Sequence, residues 1–291
     1  ISVSIKEYAP AIFAKLRQEW NRNPQEIGDD LLVPLLQLQA NRVNIFAENG
    51  SIMGTSIPSV SKKYTVETVP QRDAHTFFAF ISAYTKYMLQ NPDTYICKVV
   101  GVYRCSFGLL SRMYVIVMEN PEYTSESLPM IATRVYSLQG VKFKQPVPAL
   151  KDTGAKSRPA IFFDRNLDRT FCMGSQRDEL LTIIRRDVEF LKANAMIGYS
   201  MVLVVGSLVI PEGEHVDTAL VQKEKRGLVE SAFGQWVLLA GIYDVWRRYG
   251  KREIVSSSIS ALRGSVQEST VTDPVFYAER FIDSLEARVT K

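Results

Sequence analysis

The side chains that metal and nucleophilic chemistry draw on are few and scattered in this chain. Three cysteines, Cys97, Cys105 and Cys172, are odd in number and unevenly spaced. They fit free thiols in a reducing, intracellular compartment better than a disulfide framework. Two histidines, His75 and His215, lie far apart and near no cysteine pair, which argues against a zinc site and against a His-based triad. Three short stretches remain of interest. MIGYSMVLVV (196–205) places Gly198 where a helix gives way to an apolar strand, and glycine suits a helix C-terminus because it takes positive φ without strain. GIYDVW (241–246) ends an apolar strand on Asp244; a lone aspartate there is a turn or cap residue, or a metal ligand only with partners. RRYGKR (247–252) gathers Arg247, Arg248, Lys251 and Arg252, either as a solvated face or as a contact for anionic lipid.

The elements that must position these residues follow from periodicity. Residues 4–20 carry apolar positions at helical spacing and read as an amphipathic helix. Residues 41–69 alternate around Gly50, Gly54 and Pro58 and read as short strands about a turn, ending in a strand at 63–69. A helix follows at 71–90, stopped by Asn91-Pro92. Strands are expected at 95–105, 112–119 and 131–138. Residues 144–170 are only weakly periodic and read as an irregular excursion. The strongest helical signal spans 175–194, with Leu180, Ile183, Ile184, Val188 and Leu191 on one stripe. A strand from 199, a charged loop at 211–227, a strand at 235–243 and a final helix from about 274 complete the chain.

At 291 residues, 46% hydrophobic and 23% charged, the chain has ample material for one large domain or two lobes. The expected division is an N-terminal lobe at 1–120 and a C-terminal lobe at 121–291, in an α+β fold. A net charge of +4 is too small to argue for an anionic partner by itself, and no nucleic-acid partner is expected. The longest apolar run, around 201–210, is too short to span a bilayer. The first residue is Ile1, and no secretory signal pattern opens the chain, so any targeting segment is left unread.

Six stretches, in order, resemble the phosphatidylinositol phosphate kinase family. KEYAPAIFAKLR resembles its opening KEYxPxxFxxLR, NPDTYICKVVGVYRC its NPxTLLPRFxGxYR, and YVIVMEN its VxMNN hinge. RRDVEFLKANAMIGYSMVLVV is similar to its RDxxFL…IMDYSLL segment, GIYDVW to GIIDxL, and DPVFYAERFIDSL to its C-terminal FYAxRF helix. The resemblance runs from about residue 5 to 285. It implies a two-lobed fold related to SAICAR synthase and, distantly, to protein kinases. It also implies ATP between the lobes and transfer of its γ-phosphate to a phosphoinositide at a membrane surface.

Carried over by position, the chemistry is largely missing. Phosphoryl transfer needs a lysine on the phosphates, a carboxylate near the attacking hydroxyl, and a carboxylate holding Mg²⁺. The family's IKT lysine matches Glu67 in TVETV, which reverses the charge; a register slip would instead let Lys62 or Lys63 supply it. Its DLKGS motif matches 136–141, where Ser137 and Gln139 replace the aspartate and lysine beside Leu138 and Gly140. Its catalytic aspartate matches Gly198, which has no side chain to accept a proton. The metal aspartate is retained as Asp244, expected as a relic of the metal site. Gly50 and Ser51 are the weak remains of the nucleotide loop. The family's basic lipid-recognising loop matches about 255–272, a serine-rich span with Arg263 and Glu268; Lys142 and Lys144 add to the basic cluster at 247–252.

The resemblance therefore implies a catalytically inactive, pseudokinase-like chain acting as a structural or regulatory subunit. No cofactor is expected, and the partners are an active homologue or a larger assembly. Two alternatives stay open: a divergent active lipid kinase using ATP and Mg²⁺, and a non-catalytic phosphoinositide-binding module at a membrane surface.

Overall fold

A computed structural model describes residues 3–48, 56–107, 112–124, 129–141, 160–167, 169–209, 225–231, 234–251, 253–254, 256, 258, 269 and 271–291. The chain divides into two compact units, residues 1–92 with 97–123, and residues 93–96 with 124–291.

The first unit is built on an antiparallel five-stranded sheet in the order β1-β4-β5-β3-β2. Its strands are β1 (Val3–Glu7), β2 (Ser56–Pro58), β3 (Tyr64–Val69), β4 (Val99–Phe107) and β5 (Arg112–Glu119). β5 reads RMYVIVME, the β-branched and aromatic composition that suits a pleated, buried surface. Helix α3 (Gln71–Gln90) buries Ala74, Phe77, Ile81, Tyr84 and Met88, a stripe at spacings of three and four. Its Tyr84 hydroxyl donates to Cys97 O (2.7 Å) and accepts from Val99 N (2.9 Å), fixing the chain as it enters β4.

Two expectations fail in this unit. Residues 3–7 form an edge strand paired with β4, and the helix α1 (Pro10–Glu19) begins only at Pro10. Proline is preorganised for a helix's first turn and disfavours helix in the residue before it, so the break falls there. Residues 24–48 form one 25-residue helix, α2 (Pro24–Glu48), where strands were expected from 41. Ile27 and Leu31 drop into a cluster with Tyr64, Val66, Val100, Val115 and Val117, and Leu35 packs against it. That spacing of four is a helical signal which Gly28 and Pro34 punctuate without ending.

The second unit holds a five-stranded sheet in the order β10-β11-β9-β6-β7. These are β6 (Met130–Leu138), β7 (Ala160–Phe163), β9 (Ser200–Leu208), β10 (Leu228–Glu230) and β11 (Trp236–Tyr243). β9 is buried at every position but one, as expected for a central strand covered on both faces. Helix α4 (Arg177–Ala193) packs against α5 (Pro274–Glu286). α5 starts on an N-cap: Asp273 Oδ1 accepts from Val275 N at 2.9 Å, with Pro274 at the first position. A two-residue parallel pair, β8 (Phe171–Cys172) with β12 (Val289–Thr290), ties down the C-terminal end. Part of the span read as irregular, 160–163, is thus β7, paired in parallel with β6 and followed by a 3-10 turn at Asp164–Asn166.

The segment 93–96 is held in this unit by ionic and main-chain ties. Asp187, wholly buried, accepts from Tyr95 N at 2.6 Å. Arg186 grips Asp93 with both terminal nitrogens, at 3.1 and 2.9 Å, and holds that carboxyl below the usual range. Tyr95 O accepts from Ile242 N at 2.7 Å. All three cysteines are free; Cys97 and Cys105 are buried and Cys172 is exposed.

Candidate active site

In the second unit, sheet register gathers three of the stretches singled out in the sequence. β6 runs antiparallel to β9 with Leu138 opposite Met201, and β11 runs antiparallel to β9 with Tyr243 opposite Ser200. The end of β6, the start of β9 and the end of β11 therefore lie at the same edge. Gln139, Gly198, Ser200 and Asp244 come together there. Gln139 Nε2 donates to Gly198 O at 3.2 Å, and Ser200 Oγ donates to Asp244 Oδ2 at 3.0 Å.

Gly198 sits between α4 and β9 with φ +76°, a conformation that suits glycine. A Cβ there would lie 3.3 Å from Arg247 Cδ and 3.9 Å from Arg247 Cβ. Arg247 is held in place through its main chain: its carbonyl accepts from Ile197 N at 2.9 Å, and Tyr249 N donates to Ala195 O at 2.8 Å. Tyr199 is wholly buried, edge-on to Tyr277 and Phe281 of α5 at 4.8 and 5.1 Å, and its carbonyl accepts from the Tyr277 hydroxyl at 2.5 Å. The Tyr-Ser pair therefore has packing and hydrogen-bonding work of its own.

Asp244 follows β11 in a left-handed conformation, φ +64°. Desolvation by the surrounding protein pushes its carboxyl up to about 6, and the Ser200 hydroxyl opposes the rise. Ser137 stays in the ladder opposite Val202. The carboxylate that organises the turn after β6 is one the sequence reading missed, Asp164. It is buried, and its two oxygens accept from Gln139 N and Gly140 N, both at 2.8 Å. Burial raises this carboxyl, against the main-chain N–H groups of Gln139, Gly140 and Val141. Its signal in the sequence was the short apolar run AIFF before an aspartate, hidden inside a span without longer periodicity.

Glu67 belongs to the first unit. It lies inside β3, between Ser56 of β2 and Ile116 of β5. Strand alternation puts it on the sheet face opposite Tyr64 and Val66, which pack on α2. Lys62 and Lys63 precede the strand; Lys62 O accepts from Asn120 Nδ2 at 2.7 Å, and Lys63 O from Asn120 N at 2.9 Å. Four or five residues separate them from Glu67, roughly 13–17 Å along a strand.

Of the basic cluster, Arg248 and Lys251 are exposed, while Arg247 is partly buried against Gly198. Arg252, Gly50, Ser51, Lys142, Lys144, Arg263 and Glu268 lie outside the described residues. Among the described residues no group of three or more acidic, histidine or cysteine side chains could hold a metal ion. No described helix is long and apolar enough to cross a membrane. At the described edge, then, stand two carboxylates, Asp244 on the Ser200 hydroxyl and Asp164 on main-chain N–H groups, with an amide bonded to Gly198 and an arginine stem beside it.

The family model for phosphatidylinositol-4-phosphate 5-kinase matches residues 41–227. The chain belongs to that family. Among curated proteins it is 25% identical over 240 residues to mouse phosphatidylinositol 5-phosphate 4-kinase type-2 alpha, covering 78% of this chain and 53% of the relative. It is 23% identical to chicken phosphatidylinositol 4-phosphate 5-kinase type-1 beta, covering 98% of this chain and 58% of the relative. It is 19% identical over 184 residues to mouse phosphatidylinositol 4-phosphate 5-kinase-like protein 1, covering 62% and 41%. The chain spans about half the length of the curated relatives it matches.

Proposed function

We propose that the protein is a catalytically inactive phosphatidylinositol phosphate kinase-like chain that acts as a structural or regulatory subunit. The observation that carries the reading is Gly198. By motif it occupies the place of the catalytic carboxylate, and the contact beside it is an arginine stem. Glu67 supports the reading from the nucleotide side, because a carboxylate where a lysine is needed repels phosphate. Ser137 and Gln139 support it too: Gln139 spends its amide on Gly198 O. Loss of a positioned acid–base group costs about 10²–10⁴ in rate and loss of one electrostatic donor about 10²–10³. Together they leave little turnover.

Such a chain works through partners, either an active homologue or a larger assembly, and needs neither ATP nor Mg²⁺. The test is phosphoinositide phosphorylation with labelled ATP, run beside an active phosphatidylinositol phosphate kinase. The expected result is no turnover and no rise in melting temperature at saturating Mg-ATP. Robust turnover that disappears in D244N would refute the reading. That outcome belongs to a divergent active kinase, which the retained Asp244–Ser200 pair favours. Salt-sensitive binding to anionic vesicles, weakened by neutralising Arg248 and Lys251, would support an added lipid-contact role for their exposed side chains.

A further inference from the structure

We infer that Arg247 occupies the space that a side chain at position 198 would enter, so that a carboxylate introduced there would be captured as an ion pair. Three observations place Arg247 across that position. The direction in which a side chain at 198 would leave the backbone meets Arg247 Cδ at 3.3 Å, tighter than ordinary van der Waals contact. Arg247 Nε, one bond beyond Cδ, is buried and has no hydrogen-bond partner among the described residues. The main chain on both sides is fixed, by Ile197 N to Arg247 O and by the bridge between Met196 and Arg248. The stem therefore cannot swing away with its backbone; it can only rotate.

A carboxylate attached at 198 by an Asp side chain would carry its oxygens two bonds past the Cβ, toward the Arg247 guanidinium, whose Nε has no hydrogen-bond partner among the described residues. Charge-assisted hydrogen bonding then favours the pair over a free carboxylate facing substrate. Asp244, at the same edge, is already engaged by Ser200 Oγ at 3.0 Å. The site is thus locked in its charge-depleted form: one substitution supplies a carboxylate but not a catalytic one. The catalytic part of this inference rests on the assignment of Gly198 proposed above; the ion pair does not.

The experiment is a set of melting temperatures for G198D and G198N, each in the wild-type and R247Q backgrounds. Asn is isosteric with Asp and tolerates positive φ equally well. In the wild-type background G198D should melt about 2–4 °C above G198N, the shift expected for one ion pair in a unit of this size. In R247Q the gap should vanish, and in the wild-type background it should shrink in 1 M salt. Equal melting of G198D and G198N beside Arg247 would overturn the inference. Should the 198 variants fail to fold, nitrogen-detected NMR of the unmodified protein decides. Arg247 Nε–H should exchange slowly beside the rapid exchange of exposed arginines such as Arg248, and equally rapid exchange would overturn it. A kinase assay on G198D separates the two readings. Turnover by G198D alone refutes capture, whereas turnover by the unmodified protein refutes inactivity.

Discussion

Replacing Asp244 by Asn tests whether this edge keeps its carboxylate at a cost. The Asp244 carboxyl, ordinarily near 3.8, titrates in the fold at about 6, because burial penalises its ionised form more than Ser200 relieves it. A folded value above the unfolded one means that the group favours folding below pH ~4 and loses that advantage as pH rises through 6. Above pH 7 the folded protein carries the full penalty, about 3 kcal/mol. Asn removes the charge, tolerates the positive φ, and still offers an oxygen to Ser200 Oγ. D244N should therefore be more stable than the wild type by about 2–3 kcal/mol at pH 7.5, or roughly 5–10 °C in melting temperature. At pH 4 the two should converge. Urea denaturation at pH 4, 5, 6 and 7.5, followed through the buried Trp246 two residues away, measures both. Equal stability at pH 7.5, or a gain that does not change with pH, would refute the claim that the carboxylate is desolvated. A stabilising D244N would also mean that packing does not require the charge.

Gly140 has φ +69°, and a Cβ there would stand 2.8 Å from Arg280 O and 3.0 Å from Phe281 Cα, both main-chain atoms of α5. G140A should lose about 3 kcal/mol by chemical denaturation, whereas G174A, with φ +55° and open space, should lose only about 1 kcal/mol. D187A leaves the buried Tyr95 N–H without its acceptor and should cost about 2–4 kcal/mol. Hydrogen exchange should locate that loss at residues 93–96. Y277F removes the bond to Tyr199 O and should cost about 1 kcal/mol in thermal melts.

What the sequence disclosed depended on how local the signal was. α3, α4 and α5 announced themselves through stripes of three and four, because each buries one face. β9 and β11 announced themselves as short apolar runs. α2 did not, since its inward residues, buried Ile27 and Leu31 and half-buried Leu35, are interleaved with Gly28 and Pro34, and only the sheet they pack on reveals the face. β1 was misread because an edge strand exposes one side: Ile5 is 50% exposed, so its period resembles that of a helix surface. The motif order sufficed to recognise the family. The contacts of Arg247 and Asp164 were beyond reach, since they span about 50 and 25 positions: a basic cluster and the run AIFF mark the two residues but not what they touch.

Those two long-range contacts bear on how an edge can lose its charges and still fold. Asp164 supplies the acceptors that the turn after β6 needs, so Ser137 and Gln139 are free of that duty. Tyr277 and Phe281 enclose Tyr199 from α5, so the strand entering at Ser200 is fixed without help from position 198. The Arg247 stem covers the glycine that remains. Each element of the edge has at least one contact that does not use a side chain at 137, 139 or 198. The fold of this edge therefore does not depend on those side chains, which is the physical condition that the proposed subunit role requires. Were it otherwise, G198N would unfold the second unit outright rather than merely strain it.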